Sequence, residues 1–246
     1  MNDVALQFIG TGDSECLNFH NTNLLIEHHN KRLLVDCGWT AKQALNEQGL
    51  GVCDIDAIFI THVHGDHVFG LERFGFESRY VHDGYRIDLF VHESVLPLLW
   101  AETLKGSMGY SSDGMNELQD FFNVHVIQGD NFSWQGLEFT LFPTTHTKGK
   151  PSFGIRLPQR FTFTSDTNVI AGFETLVGDD KYIFHDSYVA DDFHPAHATT
   201  QEMREAYAPE LLKRIYLVHY DDAIVEHQKK LDGFAGWVRQ AEIFQC

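Results

Sequence analysis

Short apolar runs of strand length, each bounded by polar or glycine-containing turns, punctuate this chain from end to end. Residues 4–9 predict a strand that stops at the Gly10-Thr11-Gly12 turn, and 24–27 with 32–36 predict a hairpin. Further strands are expected at 57–60 and 87–91, in a meander over 139–142, 153–157 and 161–164, and at 215–218. Between them, the patterning predicts helices over 40–48, 93–104 and 200–207. Pro97 is tolerated in the second only if it lies in the first turn. Segment 106–114 holds three glycines and three serines and reads as a mobile loop or a plain connector. No repeat of fixed period or low-complexity run interrupts this order.

The most informative residues follow the run Ala57-Ile58-Phe59-Ile60. There Thr61-His62-Val63-His64-Gly65-Asp66-His67 packs three imidazoles and a carboxylate into one short loop. Strand ends in α/β proteins project side chains into a common crevice, and Gly65 is expected to allow a tight turn. Imidazole nitrogen and carboxylate oxygen suit zinc, manganese or iron. Four such ligands exceed what one open catalytic ion takes from a protein, so two adjacent ions fit better. On composition alone, a random His-x-His-x-Asp-His is expected in roughly half a percent of such chains.

His62-x-His64-x-Asp66-His67 resembles the signature of the metallo-β-lactamase superfamily. That family draws further ligands from a His, an Asp and a last His at distant strand ends. Leu141-Phe142-Pro143-Thr144-Thr145-His146, Phe161-Thr162-Phe163-Thr164-Ser165-Asp166 and Arg214-Ile215-Tyr216-Leu217-Val218-His219 stand in that order. The resemblance implies an α/β fold, the αββα sandwich, with two facing β-sheets, helices outside and a dinuclear metal site at one edge. It implies that His62, His64 and His146 hold one divalent ion, that Asp66, His67 and His219 hold the other, and that Asp166 bridges them. Zinc is the first expectation, with manganese or iron as alternatives.

Within the superfamily the chain is most similar to the ribonuclease Z-like phosphodiesterases. The similarity lies in His185-Asp186-Ser187 after the strand 182–184, and in His197-Ala198-Thr199, 22 residues before His219. The resemblance gives His197, oriented by Asp186, phosphate binding and protonation of the leaving group. Asp66, His197 and Asp186 are thus the expected catalytic residues. Asp186 stands where that branch has the longer Glu, and the rival role for His197 is a cap for the helix at Thr200, which Thr199 can supply alone. The tRNA-maturing enzymes carry a long arm between the His and Asp ligands, whereas about twenty residues separate His146 from Asp166 here. The chain is more similar to the compact cyclic-nucleotide phosphodiesterases, including those that phages and bacteria use against cyclic pyrimidine nucleotide signals. The implied reaction is hydrolysis of a small phosphodiester by a hydroxide that two ions share, their charge bringing the pKa of water toward neutrality. Lys148, Lys150 and Arg156 are further candidates for phosphate contact. A tRNA 3′-processing endonuclease, or a lactone or thioester hydrolase of the same fold, is the alternative.

Composition narrows the partners. The formal net charge of -17 opposes a long polyanion, which favours a small-molecule phosphodiester over extended nucleic acid. At 246 residues and 43% hydrophobic content, one layered domain over 1–246 is expected. No apolar run reaches membrane-span length, and Met1-Asn2-Asp3 lacks signal-peptide character, so a cytoplasmic protein is expected. Cys16, Cys37, Cys53 and Cys246 form no CxxC pair, and Cys37 and Cys53 read as buried free thiols. Relatives in the resembled branch are commonly homodimers, and Leu98-Leu99-Trp100 with 106–110 offers residues for such a contact.

Overall fold

In the computed structural model, which describes residues 4–189 and 193–246, the strands assemble into two seven-stranded sheets. Met1-Asn2-Asp3 lie outside the described residues. The first sheet begins with β1 (Ala5–Gly10), β2 (Asn23–His28), β3 (Lys31–Val35), β4 (Ala57–Ile60) and β5 (Ile87–His92). A small hairpin, β6 (Tyr110–Ser111) with β7 (Gly114–Met115), precedes β8 (Phe122–Ile127), which rejoins that sheet beside β5. The second sheet takes β9 (Asn131–Trp134), β10 (Leu137–Pro143), β11 (Phe153–Leu157), β12 (Phe161–Phe163), β13 (Tyr182–Asp186), β14 (Ile215–Val218) and β15 (Gly236–Trp237). Finally β16 (Ile243–Gln245) crosses back to pair with β1. The spatial orders are β16-β1-β2-β3-β4-β5-β8 and β15-β14-β13-β12-β11-β10-β9.

Each sheet is antiparallel over one half and parallel over the other. Within the parallel half of the first sheet β4 is covered on both faces, which is why it reads as an unbroken apolar run and is buried throughout, whereas β5 and the edge strand β8 keep half-buried or exposed positions. Aromatic contacts join the facing sheets: Phe8 of β1 lies 5.7 Å from Phe163 and 4.8 Å from Phe184, and Phe59 of β4 lies 5.2 Å from Phe132. The two-residue period of β13 divides its side chains. Phe184 enters the layer between the sheets, while Ile183 joins the core under the outer helices.

Helices cover both outer faces. α1 (Ala41–Glu47), α2 (Gly65–Val68) and α3 (Gly70–Tyr80) lie with the first sheet's half of the chain, followed after Pro97 by a wide-turn π-helix, Leu98–Leu104, that runs into α4 (Lys105–Met108). α5 (Phe173–Val177), α6 (Thr200–Ala206) and α7 (Pro209–Leu212) cover the second sheet through Phe173, Met203 and Leu211. α6 starts where a reciprocal cap forms: Glu202 N–H donates to Thr199 Oγ1 at 3.2 Å and Thr199 N–H to Glu202 Oε2 at 3.0 Å. No helix among the described residues is long and apolar enough to cross a membrane.

Several expectations are corrected. The helix expected over 93–104 begins instead near Pro97 and continues through Met108, because Leu99, Trp100, Leu104 and Met108 are all buried in the chain's own core. Leu99 and Trp100, two of the residues offered for a dimer contact, thus serve the chain's own core, while Leu98 is half-buried and Tyr110 exposed; Trp100 also donates Nε1–H to Glu117 at 2.6 Å. Segment 106–114 is neither loose nor a plain connector. It completes α4 and turns through the β6–β7 hairpin, held by Asn116 Nδ2 on the Met108 carbonyl at 3.2 Å. Cys37 is buried as expected, but Cys53 is exposed, because its short 3-10 turn buries Val52 instead.

Candidate metal centre

The loop after β4 and the chain just past β10, β12 and β14 meet at one edge of the sandwich. They bring His62, His64, Asp66, His67, His146, Asp166 and His219 together in two groups. In the first, His64 Nδ1 lies 3.2 Å from His62 Nε2 and 2.9 Å from His146 Nε2. Asp166 Oδ2 completes it at 3.6 Å from His62 Nε2 and 3.5 Å from His146 Nε2. In the second, Asp66 Oδ2 stands 3.2 Å from His67 Nε2 and 3.3 Å from His219 Nε2, and Asp166 Oδ1 is 3.3 Å from both nitrogens. One oxygen of Asp166 therefore faces each group.

The outward nitrogens are held by other parts of the chain. His67 Nδ1 donates to Asp36 Oδ2 at 2.7 Å, and His146 Nδ1 donates to the Ala196 carbonyl at 2.9 Å. Those bonds leave each Nε2 directed at its cluster. Asp36 in turn accepts the Thr61 N–H at 2.9 Å and the Thr61 hydroxyl at 2.8 Å. Three residues at the strand ends, Asp36, Ser165 and His219, adopt left-handed backbone with φ of 64, 52 and 57°. Such conformations are costly for residues with side chains and gather at functional sites. The sequence reading missed Asp36; its one signal was an acid directly after the apolar run Leu33-Leu34-Val35.

His197 and Asp186 border this centre. His197 Nδ1 donates to Asp186 Oδ2 at 2.8 Å, and Thr167 N–H reaches the same oxygen at 2.8 Å. The shorter acid therefore spans the gap, and Thr199 supplies the helix cap, which leaves His197 to the cavity. His219 Nδ1 sits 3.4 Å from Asp186 Oδ1, so the pair borders the second group. Arg156 is not in the site. It forms a forked ion pair with buried Asp180 at 2.6 and 2.8 Å. Lys148 and Lys150 lie exposed in the turn after His146 and do not line the cavity.

The electrostatics divide the groups. Burial first, then neighbouring imidazoles, holds His62 well below its ordinary pKa and brings His64 to about 4; burial also lowers His146. In the second group burial opposes charge, but Asp166 with Asp66 and Asp36 outweighs it at His67, and Asp166 with Asp186 and Asp66 at His219, so both are raised well above the usual value. Burial would raise Asp166, yet His219, His67 and His62 together hold it well below the usual carboxylate range. His197 is raised, burial being outweighed by Asp186.

These residues fit a pair of divalent ions. Nitrogens around one tetrahedral zinc stand roughly 3.3 Å apart, close to the separations in the first group. His67 Nε2 and Asp166 Oδ1 are buried without a hydrogen-bond partner among the described residues, which is unfavourable unless a cation lies between them. Asp66 and Asp166, the carboxylates that face the two groups, are each 5% exposed or less, and buried carboxylates call for cationic partners, which divalent ions would supply.

The facing sheets, the outer helices and the paired His/Asp clusters define the metallo-β-lactamase fold with a candidate metal centre at its edge. Solved structures with this architecture include a diphosphatase of the PhnP family (TM-score 0.77, 18% identity, 99% of this chain and 97% of that one). Another is the short form of human tRNase Z (TM-score 0.69, 19% identity, 98% of each chain). The chain belongs to the family described as anti-Pycsar protein Apyc1, whose profile matches residues 4–244. Relatives of that name include one from Paenibacillus xerothermodurans, 36% identical over 229 residues (89% of this chain, 88% of the relative). Another comes from Bacillus phage 010DV004, 30% identical over 232 residues (89% and 90%).

Proposed function

We propose that this chain is a metal-dependent phosphodiesterase that opens small cyclic nucleotides, cyclic pyrimidine nucleotides foremost. The observation that carries the reading is the His197–Asp186 pair at 2.8 Å, set beside two metal-fitting clusters in one cavity of about 430 Å³. Attack on a carboxyl derivative needs no such extra pair. The anti-Pycsar name of the relatives and the motif's likeness to phage and bacterial cyclic-nucleotide phosphodiesterases support the same substrate class.

His62, His64, His146 and Asp166 would hold one ion, and Asp66, His67, His219 and Asp166 the other. Bound divalent ions, zinc or a similar transition metal, supply Lewis acidity and acidify a water. Asp166 keeps the two groups in register through its two oxygens. His197 presents Nε2 to the cavity, since Asp186 occupies Nδ1; with its raised pKa it carries the proton that the leaving ribose oxygen requires. Asp186 stabilises the imidazolium and is itself fixed by the Thr167 N–H. Between His146 and Asp166 the chain makes a tight turn and the β11–β12 pair, with no projecting arm. No Lys or Arg lines the cavity among the described residues. Both features disfavour a long RNA.

The test is a panel of cyclic nucleotides, a lactone and a precursor tRNA against metal-loaded protein. Cyclic nucleotides should be opened most efficiently. Specific 3′-end cleavage of the tRNA, or turnover of the lactone alone, would overturn the assignment.

A further inference from the structure

Gly65 does not serve the turn expected of it. Its φ is not in the left-handed region; it is the first residue of α2. What it supplies is space. A Cβ at Gly65 would stand 2.7 Å from Phe69 Cε2 and 2.9 Å from Trp39 Cζ3, so both rings close over the bare backbone between His64 and Asp66. The rings lie 6.4 Å apart, inclined by 38°, and line the metal cavity while 40% of Trp39 and 52% of Phe69 remain exposed.

A single exposed aromatic residue is ordinary. Here two stand side by side on backbone that is tied down at several points. Cys37 N–H donates to the His67 carbonyl at 2.7 Å, and Gly70 N–H to the Cys37 carbonyl at 2.8 Å. A Cβ on Gly38 would collide with the Asp66 carbonyl, and one on Gly70 with the Gly38 carbonyl. On the other side of Trp39, Thr40 Oγ1 accepts the Asn21 N–H at 2.8 Å. The backbone that carries Trp39 and Phe69 is thereby fixed relative to the segment that carries Asp66 and His67.

We infer that Trp39 and Phe69 form the platform on which the nucleobase of the substrate stacks, an inference that rests on the phosphodiesterase reading above. The cavity has the volume of a small-ligand site. Its metal-fitting end takes the phosphodiester. Beside it the Trp39–Phe69 face is aromatic, and no Lys or Arg among the described residues lines the cavity for a second phosphate, so this face suits a planar uncharged group.

The experiment compares a cyclic nucleotide with a base-less cyclic ribose phosphate, using metal-loaded wild type, Trp39→Ala, Phe69→Ala and Trp39→Phe. The wild type should prefer the nucleotide in kcat/KM. Each Ala variant, with metal content intact, should lose about 5–150-fold of that preference, most of it as a higher KM, and Trp39→Phe should restore a large part. Nucleotide binding should also quench wild-type tryptophan fluorescence, and the quench should vanish in Trp39→Phe. An unchanged preference in both Ala variants overturns the platform. So does unchanged preference with loss of an oligomer, which would assign the rings to a subunit contact. A wild type that opens neither cyclic substrate refutes the phosphodiesterase reading itself.

Discussion

Asp36→Asn separates metal orientation from folding. Asp36 Oδ1 accepts the Thr61 N–H, while Oδ2 accepts both the Thr61 hydroxyl and His67 Nδ1–H. Asn tolerates the left-handed backbone at this position, where φ is 64°, and its carbonyl keeps the Thr61 N–H. Its amide then replaces Oδ2 and offers N–H to His67 Nδ1. The imidazole must accept there, which moves its proton to Nε2, the nitrogen 3.3 Å from Asp166 Oδ1. A protonated Nε2 cannot be a ligand. Loss of such an outer partner typically weakens metal affinity about 10–100-fold, or roughly 1.4–2.7 kcal/mol. Elemental analysis and competitive chelator titration should show one ion per chain weakened by that factor, with the His62–His64–His146 group unaffected. Two ions bound at wild-type affinity would refute the role given to Asp36.

His197→Ala should retain metal and lower kcat about 10²–10⁴-fold on cyclic nucleotides. The loss should be far smaller on a p-nitrophenyl ester, whose leaving group needs no proton; equal losses on both would remove the acid role. Metal affinity should respond to pH more steeply in one group. His62, His64 and His146 are lowered and already neutral near pH 7, whereas His67 and His219 are raised and must each lose a proton to bind. The second ion should therefore bind more tightly as pH rises, by up to about tenfold per unit for each proton displaced, while the first responds less steeply at and above neutral pH; parallel slopes in stepwise titration would contradict this. Arg156→Met removes the cation from buried Asp180, which keeps only the Gln159 N–H and the Thr162 hydroxyl, and should cost up to about 3 kcal/mol, a Tm drop of up to roughly 12 °C. KM in the folded variant should be unchanged, and a large rise in KM would return Arg156 to the phosphate site.

The sequence by itself determined most of the long strands and brought out the residues of the candidate metal centre. Parallel strands buried on both faces are largely apolar, so β4 and β14 announce themselves, while β12 shows as alternating Phe and Thr; the polar residues directly after them fall at one sheet edge. His62, His64, Asp66, His67, His146, Asp166 and His219 were legible for that reason, as was the His197–Asp186 pair. The π-helix at Leu98–Leu104 was read at the wrong boundaries, because burial against the first sheet, rather than local pattern, sets its length. β8, β9 and β16 passed unread, their polar positions belonging to sheet edges that only a partner strand defines. Asp36 was invisible as a functional residue, since its value lies in a 2.7 Å contact with a residue 31 positions away. The purpose of Gly65 also depended on tertiary structure: a sequence shows that a side chain is missing, but only packing shows that two aromatic rings occupy its place.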